Sequence, residues 1–196
     1  MGTASTLVGR PHGAAGGDAL LIVDMISAWD FEDAGQLLPA ALGMAPRVQS
    51  LARRCRRHGV PVVYVNDNRG DWRSDFRHLV EQSLGAGDAA RTITQRLMPQ
   101  PEDYFVLKPR HSAFDATPLH LLLQHLGVRR VLLCGTTTDQ CVLFSAHDAR
   151  MHGYEVVVAS DACATLDAAR QQRALRHFSE VQRIATPRAR SVRLGR

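Results

Sequence analysis

The chain alternates between short, continuous apolar runs and longer segments whose apolar residues recur three and four positions apart. Asp18-Ala19-Leu20-Leu21-Ile22-Val23 has the length and continuity of a strand buried on both faces. Val60 to Val65, Asp103 to Leu107, Val128 to Cys134 and Tyr154 to Ala159 read the same way, and Val181 to Ala185 predicts a short sixth strand. Between them, Val48, Leu51, Ala52 and Cys55 fall at i, i+3, i+4 and i+7 and predict an amphipathic helix from Pro39 to His58, arginines outward. Leu119, Leu122, Leu123 and Leu126 mark another helix, with Thr117 as its N-cap and Pro118 in its first turn. Further helices are predicted near 75–83, from Cys141 to His152 and over 167–179, whereas 85–100 reads as irregular.

A helix, a glycine and a buried strand follow one another at Arg57-His58-Gly59-Val60, His125-Leu126-Gly127-Val128 and Met151-His152-Gly153-Tyr154. Strands alternating with helices through such hinges predict right-handed crossovers and a parallel sheet. The expected fold is α/β: three layers, α/β/α, around a six-stranded parallel sheet of Rossmann-like type. Residues 1–17, rich in Gly, Ala, Thr and Ser, predict a disordered leader; 18–186 form one domain; 187–196 predict a frayed, basic C-terminal tail.

Composition narrows the function. A chain of 196 residues has room for one sizeable core. No segment approaches the length of a transmembrane helix, and no basic region followed by an apolar run opens the chain, so a cytoplasmic protein without a membrane partner is expected. The cysteines at 55, 134, 141 and 163 form no CxxC pair and no zinc spacing, which predicts reduced thiols. A net charge of +5 raises nucleic-acid binding, but no aromatic-basic stripe accompanies it, and no nucleic-acid partner is expected. No GxGxxG follows a strand and no P-loop lysine exists, so nucleotide cofactors are excluded and no cofactor is expected.

The 24 basic residues comprise 23 arginines and one lysine, Lys108. A position that keeps lysine in such a chain calls for a compact ammonium rather than a guanidinium. Lys108 ends the third predicted strand, Asp24 ends the first, and Cys141 opens the helix after the fourth, beyond Gly135-Thr136-Thr137-Thr138-Asp139-Gln140. In an open parallel sheet ligands bind beyond the carboxyl ends of the strands, so these three side chains converge. A thiol in the first turn of a helix is expected to have a lowered pKa. No histidine is placed to serve as its base, and His147 falls on the flank of the helix. Asp24, in an apolar cleft, is the candidate base, with Lys108 holding the two acidic groups together. The turn before Cys141 offers backbone N–H groups to an oxyanion. Asn66, Trp72, Phe114, Trp29 and Thr138 are candidate substrate-binding residues, and Arg69 and Arg73 are either solvated or hold a substrate carboxylate.

The chain resembles the isochorismatase-like cysteine hydrolases over about residues 18–185. The resemblance rests on Leu-Ile-Val-Asp24-Met, on Lys108 before Ser112-Ala113-Phe114, on Gly135-Thr-Thr-Thr-Asp139-Gln-Cys141-Val, and on His147-Asp148-Ala149 and Asp161-Ala162-Cys163-Ala164. It implies an Asp24-Lys108-Cys141 triad, a cis peptide between Thr136 and Thr137, an oxyanion hole from the N–H groups of Thr137 and Cys141, a six-stranded sheet and a homo-oligomer. Nicotinamidases of this family bind a divalent metal through an Asp-x-His motif after strand two. Here the run is Asp67-Asn68-Arg69, so no metal is expected. The implied reaction is cleavage of a small amide, urea or carbamoyl C–N bond through a thioester. The alternatives are a vinyl-ether hydrolase of isochorismate type and a non-catalytic binding protein on the same fold.

Overall fold

The computed structural model describes residues 17–195. Its sheet has five strands: β1 (Asp18–Val23), β2 (Val62–Asp67), β3 (Tyr104–Lys108), β4 (Arg130–Thr136) and β5 (Glu155–Ala164). All pairings are parallel, in the order β3-β2-β1-β4-β5. The chain winds outward from β1 through β2 to β3, then returns across β1 to lay down β4 and β5. The direction therefore reverses between β1 and β4, where an open sheet leaves a crevice.

Six helices flank the sheet: α1 (Ala34–Arg57), α2 (Phe76–Gly85), α3 (Asp88–Arg96), α4 (Leu119–His125), α5 (Cys141–Met151) and α6 (Ala168–Arg176). The predicted first helix begins earlier than Pro39 because Leu37 and Ala34 continue its buried stripe through Ala41, Met44, Ala45, Val48, Leu51, Ala52 and Cys55. Pro39 and Pro46 lie inside it on the exposed side, where the carbonyls that lose an N–H partner are open to water. Helix α3 was not evident from the sequence. Its stripe is Ala90, Ile93, Thr94 and Leu97, weakly apolar apart from Ile93 and Leu97, and the buried Thr94 hydroxyl is satisfied by Ser83. Helix α4 begins one residue late: Thr117 accepts the Leu119 N–H at 3.3 Å and donates to the Ala113 carbonyl at 2.6 Å.

The C-terminal part of the domain differs from expectation. The predicted sixth strand, Val181 to Ala185, does not form: a π-helical turn, His177–Val181, continues α6 into its first residue, and only Ala185 bridges to β5, at Val157. Strand β5 is longer than expected, since a register shift opposite Leu133 and Gly135 lets it resume as Cys163 and Ala164, in what the sequence predicted as loop. The predicted frayed tail is docked. Arg54 donates to the carbonyls of Ala189 at 2.8 Å and Val192 at 2.6 Å, and Val192 is buried. Asp18, held by two hydrogen bonds from Arg130, accepts the Gly195 N–H at 2.7 Å. The predicted leader falls, apart from Gly17, outside the described residues. Among the described residues, no helix is long and apolar enough to cross a membrane.

Apart from the half-buried Cys141, the cysteines at 55, 134 and 163 are buried in the core. Burial pushes the Cys55 and Cys163 thiols up from 9.0 to about 12, and Cys134 well upward too. Below pH 9.0 folded and unfolded chains both keep these protons. Above it the unfolded chain loses them first, so stability falls as pH rises from 9.0 towards 12. Each thiol contributes up to about 1.4 kcal/mol per pH unit in that window. Urea unfolding under reducing conditions should show a stability plateau to about pH 8.5 and a steep fall by about pH 10.5.

Candidate active site

The crevice between β1 and β4 is a cavity of about 440 Å³ with Asp24, Asn66, Asp67, Thr136, Thr137 and Cys141 in its wall. Asp24 is the first residue past β1 and has φ of 51°, a left-handed conformation that Asp adopts more readily than most residues. Its backbone is clamped from both sides: its N–H donates to the Val65 carbonyl at 2.8 Å, and its carbonyl accepts the Thr136 hydroxyl at 3.1 Å. The side chain is thereby turned into the cavity, where Oδ1 accepts the Asp67 N–H at 2.7 Å.

Lys108, the last residue of β3, is 0% exposed. Its Nζ lies 2.9 Å from Asp24 Oδ2, 3.1 Å from the Arg110 carbonyl, 3.4 Å from Asp67 Oδ2 and 3.5 Å from Cys141 Sγ. The sequence-predicted triad is thus assembled around one ammonium. Burial opposes the charge on Lys108, but the negative groups beside it, Asp24 foremost, outweigh burial and raise its pKa. Burial also raises the Asp24 pKa, against the lowering influence of Lys108.

Cys141 departs from expectation. Its thiol is pushed up to about 12, first by burial and then by the Asp24 carboxylate, with Lys108 only partly compensating. Helix-end placement does not make it a standing thiolate. In the resting site Cys141 keeps its proton beside a carboxylate able to receive it.

The turn before the thiol is built from Gly135 to Gln140. The Thr136–Thr137 peptide is cis. Thr138 is fully buried, its N–H bonded to the Ala164 carbonyl at 3.0 Å and its hydroxyl to Gln171 at 2.7 Å. Asp139 accepts from Thr165 at 2.5 Å and from Arg170 at 2.7 Å; burial disfavours its charge, but these hydrogen bonds outweigh it and hold the carboxyl below its usual range. The turn is pinned to β5 and α6 in this way, while the N–H groups of Thr137 and Cys141 find no acceptor among the described residues.

Of the expected substrate-binding residues, only Asn66 lies in this cavity. Its Nδ2 donates to the Ile26 carbonyl at 2.7 Å, and its buried Oδ1 has no partner among the described residues. Trp72 is 78% exposed and does not line the cavity, because the polar loop carrying it points outward. Phe114 is buried against His152 and Tyr154 and faces a neighbouring cleft. Trp29 packs behind Phe31, with ring centroids 6.0 Å apart. Thr138 serves the turn, as described. Of the two arginines, Arg73 stays outside, whereas Arg69 lines the cavity, with its guanidinium bonded to Asp30 and lying 5.8 Å from the Phe31 ring centre. A substrate carboxylate would therefore compete with Asp30.

Sequence reasoning missed the apolar wall of Ile26, Phe31, Leu37 and Leu79, together with Ser27, Gln82 and His111. His111 overturns the expectation that no histidine is placed at the thiol, since its Nδ1 is 3.7 Å from Sγ. Among the described residues, no three His, Cys, Asp or Glu side chains cluster to hold a metal ion.

Residues 18–189 match the family model of the isochorismatase domain. The chain is 35% identical over 147 residues to YaaI, an isochorismatase family protein of Bacillus subtilis (strain 168), with 75% of this chain and 80% of that protein covered. It is 31% identical over 153 residues to streptothricin hydrolase of Streptomyces noursei, covering 76% of this chain and 50% of that enzyme. Among solved structures it resembles N-carbamoylsarcosine amidase of Thermoplasma acidophilum, with a TM-score of 0.70, 26% identity, and 91% of this chain and 99% of that one covered. With a strand-end Asp, Lys and Cys gathered at the switch point of a parallel sheet, the chain belongs to the isochorismatase family.

Proposed function

We propose that the protein is a cysteine hydrolase that cleaves a small amide, urea or carbamoyl C–N bond. The observation carrying this reading is the single buried ammonium of Lys108, 2.9 Å from the Asp24 carboxylate and 3.5 Å from the Cys141 sulfur, at the wall of a substrate-sized cavity. Two proteins similar to the chain, a streptothricin hydrolase and an N-carbamoylsarcosine amidase, support it.

Attack begins when the Cys141 proton passes to Asp24 and the sulfur electron pair forms a bond to the carbonyl carbon. The carbonyl electrons move to oxygen, which the free N–H groups of Thr137 and Cys141 are positioned to receive. Collapse re-forms the C=O bond and breaks C–N, and the leaving nitrogen takes the proton from the protonated carboxyl of Asp24. Water then adds to the thioester, giving a proton back to Asp24. The C–S bond breaks, and the sulfur recovers that proton. Lys108 keeps its charge throughout, holding the carboxylate in the first state and the sulfur in the second.

The cavity supports a substrate class in outline. Its apolar wall and Asn66 Oδ1 favour a compact acyl part with one hydrogen-bond donor. A panel of small amides, ureas and carbamoyl compounds should contain one that releases ammonia or an amine. Cys141→Ala should lose that turnover by about 10³-fold or more while keeping the circular dichroism and urea midpoint of the parent. Undiminished turnover in that variant would refute the thioester route, and a panel without any turnover would favour the binding-protein reading.

A further inference from the structure

Lys108 is over-subscribed. An ammonium has three N–H groups, yet four acceptors surround Nζ: Asp24 Oδ2, the Arg110 carbonyl, Asp67 Oδ2 and, most distant at 3.5 Å, Cys141 Sγ. A sulfur that becomes anionic competes with two carboxylates and a carbonyl for the same donors. The ring of His111 supplies what is lacking. Its Nδ1 lies 3.7 Å from Sγ, within sulfur hydrogen-bonding range. The imidazole stacks on Phe144, with centroids 5.8 Å apart and planes inclined by 16°. Phe144 stands one turn after Cys141 on α5, so the helix that presents the thiol also sets the plane of the imidazole beside it.

We propose that His111 is a further catalytic residue, whose Nδ1–H donates a hydrogen bond to Cys141 Sγ whenever the sulfur carries negative charge. This occurs in the attacking thiolate and again in the thiolate expelled when water opens the thioester. The proposal rests on Cys141 being the nucleophile. No covalent bond changes at His111, which acts as the Nδ1–H tautomer or the imidazolium. The charges around it are mixed. Lys108, Asp24, Asp67, Arg69 and Cys141 belong to the cavity side. Arg110, paired with Asp115 at 3.3 Å, and Asp148 and His152 belong to the cleft on its other side.

Alkylation of Cys141 by iodoacetamide, followed against pH and read on the Cys141 peptide by mass spectrometry, tests this without any substrate. His111→Phe keeps a ring to stack on Phe144 and removes the donor, while His111→Gln restores an N–H. His111 is exposed, so both variants should keep the parent's urea midpoint. The expected result is an alkylation rate at neutral pH lowered about tenfold in His111→Phe, an apparent thiol pKa raised by about one unit, and partial recovery in His111→Gln. A His111→Phe protein alkylated within about twofold of the parent, with the same pH profile, would overturn the proposal and leave the nucleophile intact. A parent whose Cys141 resists alkylation at every pH would instead overturn the nucleophile reading and this proposal with it.

Discussion

Lys108→Met should lower kcat/KM by on the order of 10³-fold on any substrate the enzyme turns over. Methionine is close to lysine in length and fits an apolar slot, so the change removes the charge with little change in volume. Without the ammonium, Asp24 is a desolvated carboxylate facing the thiol whose proton the proposed mechanism passes to it, and the proposed thiolate has lost its nearest cation. The same change has a signed effect on stability. Lys108 has a raised pKa in the fold, so its contribution is fully present below 10.5 and lost only as pH rises through the folded value. In the variant, Asp24 must either be ionised without a partner or take up a proton. Its pKa, already raised by burial, rises further. The destabilisation should therefore be about 3 kcal/mol near pH 8 and smaller near pH 5, where Asp24 is more nearly neutral. Urea titrations at the two pH values measure the difference, and an equal loss at both would show that Asp24 does not feel the ammonium. Lys108→Arg should not rescue activity, because the guanidinium fork has no room in a fully buried site that holds a compact ammonium.

The second large effect lies in the backbone. Gly135→Ala should destabilise the fold by more than about 4 kcal/mol, enough to leave much of the protein insoluble. A Cβ at Gly135 would lie 2.0 Å from the Val23 carbonyl oxygen, 2.7 Å from the Val23 nitrogen and 2.8 Å from its carbonyl carbon. All three are backbone atoms of the central strand β1, which cannot yield without disturbing its pairing with β2 and β4. Gly135 also has φ of 122°, outside the range an L-residue adopts freely. Gly153→Ala separates the two causes. Its φ is 87°, but nothing lies within 4 Å of the new Cβ. That control should cost only about 1–2 kcal/mol. If the two variants have the same urea midpoint, close approach is not what requires glycine at 135. The same approach lets the Thr136 hydroxyl reach the Asp24 carbonyl, so the glycine that joins β4 to β1 also aims the carboxylate.

Much of the site was legible in the sequence, for a specific reason. A parallel sheet puts every strand's carboxyl end on one edge, so residues ending different strands are neighbours whatever their sequence separation. Asp24, Lys108 and Cys141 could be gathered by that rule, and a lone lysine among arginines singled out Lys108. The cavity wall was not legible. Phe31, Leu79, Gln82 and His111 come from loops and helices whose approach depends on packing. Of the five residues chosen by side-chain type, Trp72 points outward, Phe114 and Trp29 pack elsewhere, Thr138 pins the turn before Cys141, and only Asn66 remains.

The pattern of the chain by itself determined the parallel α/β sheet, its short glycine hinges and the convergence of an acid, an ammonium and a thiol, because buried strands and crossovers leave periodic, local marks. The tertiary structure alone decided the rest. The predicted sixth strand shrank to a single bridge at Ala185, the basic tail docked on Arg54 and Asp18, and α3 formed around Ile93 and Leu97 and their packing. It also reversed the expected state of Cys141. Helix position favours a thiolate, but burial and the neighbouring Asp24 act more strongly at short range, so the sulfur keeps its proton in the resting site.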